Sequence, residues 1–167
     1  MEKEINRKIA VVFVTDVVGF STSMEVDENQ TLQSFRACKK ILKDLFSEHG
    51  GRIFNTAGDS ILAEFSSAVS AVICASEFQK LIQERNSSSS LPENGKMEFR
   101  VGLNMGDVIV EGENLYGEGV NVASRLEALS QPNGVSLSKS IYDFVNKKTD
   151  FLFDDLGEQK IKNTNVH

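Results

Sequence analysis

FNTAGDSILAEF, residues 54–65, places Gly58-Asp59 between apolar flanks, with Ile53, Phe54 and Ala57 before it and Ile61, Leu62, Ala63 and Phe65 after. A glycine followed by a carboxylate is what two strands need in order to turn back on each other. The stretch therefore predicts strands at about 52–57 and 60–65, joined by a tight hairpin with Asp59 at its tip. Turn chemistry alone is a sufficient reason for that aspartate. Whether it also has a chemical task depends on what else the chain brings to the same end of the sheet.

Upstream, KIAVVFVTD (Lys8–Asp16) is a continuous apolar, β-branched run, the mark of a central strand buried on both faces. It ends in an acid. After Gly19-Phe20-Ser21, the residues Leu32, Phe35, Ile41, Leu42, Leu45 and Phe46 keep helical spacing. Asp27 with Gln30 forms the opening cap of that helix, and His49-Gly50-Gly51 closes it. Downstream of the hairpin, a helix over about 67–84 carries Val69, Val72, Ile73, Phe78, Leu81 and Ile82 on one side. NSSSSLPENG (Asn86–Gly95) reads as a mobile surface loop. MEFRVGLNMGDVIVEG alternates strictly and predicts a second hairpin turning at Gly106-Asp107. A helix over about 118–130, a short strand at Val135–Leu137, a short helix at about 139–146 and a strand pair spanning Phe151–Lys162 complete the pattern. Frequent hairpins among helices predict an α+β fold, an α/β sandwich whose mixed, mainly antiparallel sheet is flanked by helices.

Composition narrows the classes. At 167 residues the chain is long enough for one domain with a sizeable core, and eleven Phe with 40% hydrophobic residues describe a globular protein. No apolar run approaches the roughly 20 residues of a membrane span, and the charged opening MEKEINRK is not a secretory signal, so a cytoplasmic location without membrane insertion is expected. A net charge of −6 excludes a nucleic-acid surface. Cys38 and Cys74 fall on apolar helix faces and read as buried small hydrophobes. His49 reads as a helix-terminal residue, and His167 is the last residue of the chain.

Asp59 has a counterpart in Asp16, which also ends an apolar strand and is followed by backbone N–H groups (Val17 to Ser21) entering a helix-like segment, a place that suits phosphate. Two such carboxylates, if adjacent in the sheet, could hold hard divalent cations at about 2.0–2.1 Å for Mg²⁺. The residues alone leave open the alternative of two separate turn caps.

Three motifs carry a resemblance. VFVTDVVGFS is similar to the first metal motif of the class III nucleotidyl cyclases, NTAGDSILAEF to their second, and LYGEGVNVASRLEAL to their signature helix. The Gly-x-x-Val-Asn-x-Ala-x-Arg string is the most specific of the three, and the match spans about residues 8–162. The resemblance implies a cyclase homology domain of ferredoxin-like, palm-like fold, acting as a head-to-tail homodimer with composite sites, on a nucleoside triphosphate. It implies that Asp16, Asp59 and the Val17 carbonyl hold two Mg²⁺ or Mn²⁺ ions and that Val18, Gly19, Phe20 and Ser21 cradle the triphosphate. From the other subunit, Asn121 would orient the ribose and Arg125 would meet charge on the α-phosphoryl group, while Lys162 would contact the terminal phosphates.

Base selection departs from the family pattern. Adenylate-forming members carry Lys and Asp, and guanylate-forming members Glu and Cys, where this chain has Asn55 and Asn114. Asparagine can donate or accept by rotating its amide, so ATP is the expected substrate with weakened discrimination against GTP. The alternatives are a relaxed-specificity or guanylate cyclase, or a nucleotide-binding regulatory module without turnover. A phosphorylated receiver domain would need repeated βα units, which the hairpins contradict. The ending NTNVH, soon after Lys162, reads as the close of an excised catalytic piece of a larger protein.

Overall fold

The computed structural model describes residues 5–149, together with the backbone of residues 159–161 and 164–166. Six strands form one sheet: β1 (Asn6–Val17), β2 (Gly51–Ala57), β3 (Ser60–Phe65), β4 (Phe99–Glu111), β5 (Asn114–Tyr116) and β6 (Val135–Leu137). Their order is β2-β3-β1-β4-β5, every neighbour antiparallel, with β6 joined parallel to β4. The helices are α1 (Phe20–Val26), α2 (Glu28–His49), α3 (Ala68–Asn86), α4 (Glu118–Leu129) and α5 (Lys139–Val145). The mixed, mainly antiparallel sheet with helices against it is the expected class. Of the strand pair expected over Phe151–Lys162, only β7 (Gln159–Ile161) lies among the described residues, and it pairs with β8 (Thr164–Val166).

The central strand shows why its run is apolar throughout. Val11, Phe13 and Val17 enter a core with Cys38, Leu42 and Phe46 of α2 and Cys74, Ala75 and Phe78 of α3. Ala10, Val12 and Val14 point the other way, into a second cluster with Val120 and Ala123 of α4. A strand sandwiched between two layers of helices must be hydrophobic at every position rather than at every second one. Phe13, Phe46 and Phe65 meet with ring centroids 5.2–5.8 Å apart, which fixes α2 over the β1–β3 pair. Burial raises the thiols of Cys38 to about 11 and of Cys74 to about 12, as expected of small hydrophobes in a core.

The expected caps form as read. The Asp27 carboxylate accepts from the Gln30 amide at 3.0 Å, and Gly50 ends α2 in the left-handed region at φ 81°. His49 is the last residue of that helix and sits 3.2 Å from Glu77. Within Asn86–Gly95, residues Glu93–Gly95 form a single 3₁₀ turn whose Gly95 carbonyl accepts from both Ser34 and Arg85.

One expectation is corrected. Gly106-Asp107 is not a hairpin turn: β4 continues through it, pairing Gly106 with Ala10 and Asp107 with Ile9 of β1. The chain reverses six residues later at Gly112, φ 61°. The close approach to α4 belongs to Gly119 instead, where a Cβ would lie 2.6 Å from the Asp107 carbonyl oxygen and 3.1 Å from the Gly106 carbonyl carbon. Gly119 thus lets the first turn of α4 settle on β4, while Asp107 pairs with Arg7 at 2.9 Å.

Candidate active site

β1 and the β2–β3 turn deliver their carboxylates to one end of the sheet. Gly58 takes φ 61°, so the turn closes tightly, and the Asp59 Oδ2 reaches across to accept the Val17 amide at 2.9 Å. Asp59 is thereby bound to the residue that follows Asp16. Asp16 sits opposite Arg100 on β4, and its Oδ1 is buried without a hydrogen-bond partner. Such an oxygen is costly unless something positive or protonated meets it.

The segment after Asp16 turns at once. Val18 commits its N–H to the Glu98 carbonyl at 2.8 Å, so of the four residues expected to cradle phosphates it has no free amide to offer. Gly19, at φ 65°, starts α1, and the Phe20 and Ser21 amides in its first turn lack intrahelical acceptors. The ring of Phe20 packs on Phe35 at 5.6 Å, leaving its backbone as the available group.

α4 presents two different sides. Gly119, Val120, Val122, Ala123, Leu126 and Glu127 are buried. Asn121 is exposed and Arg125 half-buried, one turn apart on the side away from the sheet. Neither side chain has a hydrogen-bond or ion-pair partner among the described residues. Asp16 and Asp59 are therefore brought together, whereas Asn121 and Arg125 face away from the sheet.

Asn55 and Asn114 behave alike. Each uses its Oδ1 to accept the amide of the next residue, Thr56 and Leu115 respectively, at 2.9 Å. Only oxygen can accept from an N–H, so both amides are fixed in one orientation, with Nδ2 left to donate elsewhere. Although β2 and β5 are opposite edges of the sheet, the sheet curls and brings them together. Phe54 of β2 packs into the cluster that holds Val110 and Leu115, and Arg52 donates to the Glu113 carbonyl at 2.7 Å. Lys162 lies outside the described residues.

Glu127 was not among the expected site residues. It is only 5% exposed, one of its oxygens has no partner, and it faces Asp16. Burial, then the hydrogen bond and charge of Asp16, push its carboxyl up to about 9, Arg100 opposing the rise. The proton that Glu127 retains goes to the Asp16 carboxylate, which accounts for a buried and a half-buried carboxyl group in contact. The sequence carried a signal for it: Val120, Ala123 and Glu127 keep i, i+3, i+7 spacing, so an acid stands on the apolar stripe of the helix.

The adenylate and guanylate cyclase catalytic domain model matches residues 1–166. The chain belongs to that family. It is 44% identical over 98% of its length to a Rhizobium meliloti protein provisionally named adenylate cyclase 3, of which it covers 28%. The crystal structure of an adenylate/guanylate cyclase/hydrolase from Silicibacter pomeroyi superposes with TM-score 0.88 at 31% identity, covering 98% of this chain and 95% of that one. The adenylyl cyclase CyaB from P. aeruginosa shares the fold, with TM-score 0.80 at 23% identity over 98% of this chain and 93% of that one. The chain thus spans little more than a quarter of the length of the Rhizobium relative.

In this cyclase domain the residues at the β1 end fit a hard divalent cation, since they offer carboxylate oxygens, one of them buried and unpartnered. Among the described residues no group of three His, Cys, Asp or Glu stands close enough to enclose a metal, so further ligand oxygens would come from backbone, water or a bound phosphate. No helix among them is long and apolar enough to cross a membrane.

The protonation of Glu127 has a measurable consequence in the metal-free domain. Unfolded, the residue ionises near its ordinary 4.5, while folded it keeps its proton to about 9. Between these values the folded state holds one more proton, so the stability that Glu127 contributes declines as pH rises. Glu127→Gln, neutral at every pH and still able to donate to Asp16, is expected to melt near the parent at pH 5 and above it at pH 8, with cations chelated. Melting curves that stay parallel over that range would rule out the buried neutral carboxyl.

Proposed function

We propose that this domain is an adenylate cyclase that converts ATP to 3',5'-cyclic AMP and pyrophosphate for intracellular signalling, working as a homodimer whose two sites each combine residues of both subunits. The observation that carries the reading is the division of the site. Asp16 and Asp59 stand together with a buried unpartnered oxygen, while the Asn121 and Arg125 side chains project from the other side of α4 without partners among the described residues. A second copy in head-to-tail arrangement would supply each half with the other.

Mg²⁺ or Mn²⁺, two ions held by Asp16, Asp59 and the Val17 carbonyl, would supply the positive charge that acidifies the ribose 3'-hydroxyl and neutralises the departing phosphates. The backbone amides of Gly19, Phe20 and Ser21 donate to triphosphate oxygens, and Lys162 completes the contacts to the terminal phosphates. Asn121 of the second subunit holds the ribose so that its 3'-oxygen is in line with the α-phosphorus. As the new O–P bond forms and the bond to the β-phosphate oxygen breaks, the hydroxyl proton is lost and pyrophosphate leaves. Arg125, with its planar and permanently charged fork, donates to the α-phosphoryl oxygens on which charge accumulates.

ATP is favoured by the name of the Rhizobium relative. A relaxed preference is favoured by the two asparagines, because each directs its oxygen to its own backbone and leaves Nδ2 to donate. Adenine and guanine each offer an acceptor to such a donor, so the pair distinguishes them weakly.

Purified protein incubated with ATP or GTP and Mg²⁺ or Mn²⁺ is expected to yield cyclic AMP and pyrophosphate from ATP, with measurable product from GTP. Asn55→Lys combined with Asn114→Asp installs a dedicated donor and a dedicated acceptor and is expected to raise the ATP:GTP ratio of kcat/KM about tenfold or more. If neither nucleotide is consumed even with Mn²⁺, while the double variant turns over ATP, the wild-type domain is a nucleotide-binding module and the cyclase reading falls.

A further inference from the structure

β2 and β5 are the two outer strands of a curled sheet, with three-strand spacing between them along the hydrogen-bonded path, yet they are fastened directly. Arg52 holds them with a forked grip. Its Nη1 donates to the Glu113 carbonyl at 2.7 Å, in the turn that leads into β5, and its Nη2 donates to Glu64 Oε1 of β3 at 2.8 Å. The other oxygen of Glu64 pairs with Lys8 of β1 at 2.6 Å. The chain of contacts Lys8–Glu64–Arg52–Glu113 therefore crosses β1, β3 and β2 and then closes the gap to the β4–β5 turn. Burial alone would raise the Glu64 carboxyl, but the hydrogen bonds from Lys8 and Arg52 outweigh it and hold it below the usual carboxylate range.

The fastened residues flank the two asparagines. Glu113 is the neighbour of Asn114, and Arg52 lies three residues before Asn55 on the same strand. Between Arg52 and Asn55 the β2–β3 register slips, pairing Ile53 with Ala63 and then Asn55 with Leu62, so that Phe54 is the extra residue. Phe54 tucks into the cluster with Val110 and Leu115. The position of Asn55 relative to Asn114 is thus set by one apolar plug and one ionic fork.

We infer that Arg52 is a positioning residue for base selection: by tying β2 to the β4–β5 turn it sets the separation of Asn55 and Asn114, and with it the fit of the purine between them. The inference rests on the proposed nucleotide site for its consequence, but the fastening itself does not. Arg52 is well suited to the task, because its two arms engage two acceptors on different segments at once, which a lysine ammonium on a flexible stem does not reproduce. The network lies in partly exposed surroundings, with 45% of the Arg52 side chain accessible, so its loss should disturb geometry more than global stability.

The test uses Arg52→Lys, which keeps the charge beside Glu64, and Arg52→Met, which removes it. Both are expected to raise KM for ATP about three- to tenfold with kcat little changed, and to shift the ATP:GTP ratio of kcat/KM by a similar factor. In an Asn114→Ala background the same substitutions should leave the ratio where it is, since one of the two readers is already gone. Deuterium exchange at the Thr56 and Leu115 amides, the ones bonded to Asn55 and Asn114, should quicken about tenfold in both Arg52 variants. Unchanged KM, ratio and exchange would overturn the proposal, as would a loss of kcat that falls equally on both nucleotides without faster exchange. Should the wild-type domain consume neither nucleotide, the cyclase reading fails separately, and exchange at Thr56 and Leu115 alone then decides whether Arg52 fastens the two edges.

Discussion

Asp16→Ala is expected to abolish cyclic-nucleotide formation, by about a thousandfold or more, while leaving the melting temperature close to the parent's. The two halves of that result have one cause. The Asp16 carboxylate has a buried oxygen with no partner and stands against the Glu127 carboxyl and near Asp59, an arrangement that costs folding free energy. Alanine removes the unsatisfied oxygen, a gain that offsets the loss of the acceptor to which Glu127 donates its proton. It also removes the group on which the cation site depends. Asp59 gives a useful contrast, because its Oδ2 accepts the Val17 amide, so its loss should reduce activity and also destabilise the end of β1 by about 1 kcal/mol. Product formation with Mg²⁺ and Mn²⁺, measured alongside thermal melts of the same preparations, checks both. Activity of Asp16→Ala within tenfold of the parent would sink the metal assignment.

Gly102→Ala is expected to be among the most destabilising single substitutions in the domain, by about 3–5 kcal/mol. A Cβ at this position would lie 2.3 Å from the Glu127 amide nitrogen, 2.4 Å from the Ala123 carbonyl oxygen and 2.8 Å from the Glu127 Cα. All three are backbone atoms of α4, so no side-chain rotation relieves the contact. The helix must lift from β4 as a body, which opens the cluster of Val12, Val108, Val120 and Ala123. The same movement would carry Asn121 and Arg125 with it. A fall in melting temperature of about 6–20 °C, together with lost turnover, is the expected outcome. A variant that melts like the parent would mean that α4 is not seated on β4 at Gly102 as described.

Gly58-Asp59 and Gly106-Asp107 show where sequence reading succeeds and where it stops. The two dipeptides are identical and both stand among apolar residues. Gly58 is a turn glycine in the left-handed region, whereas Gly106 lies in an unbroken strand paired with Ala10. The difference is not local. It comes from β1, which pairs with β4 without a break from Phe99 to Val110 and so holds Gly106 extended opposite Ala10, nearly a hundred residues away in the chain. Glu127 repeats the lesson at the site: its position on the apolar stripe is readable, but its neighbour Asp16 lies more than a hundred residues away. The fork of Arg52 is likewise invisible until the sheet curls.

What the sequence determined by itself is whatever depends on a few neighbouring residues: the apolar run of β1, the Asp27 cap and Gly50 stop of α2, the Gly58 hairpin and the two-sided pattern of α4. Periodicity and capping act over one or two turns, so they can be read without knowing the fold. What only the tertiary structure decided is which glycine bends and which one stays in a strand, which acid keeps a proton, and which edge strands meet. Those outcomes are set by close approach and burial between segments distant in the chain, where a difference of an ångström or one buried charge outweighs any local preference.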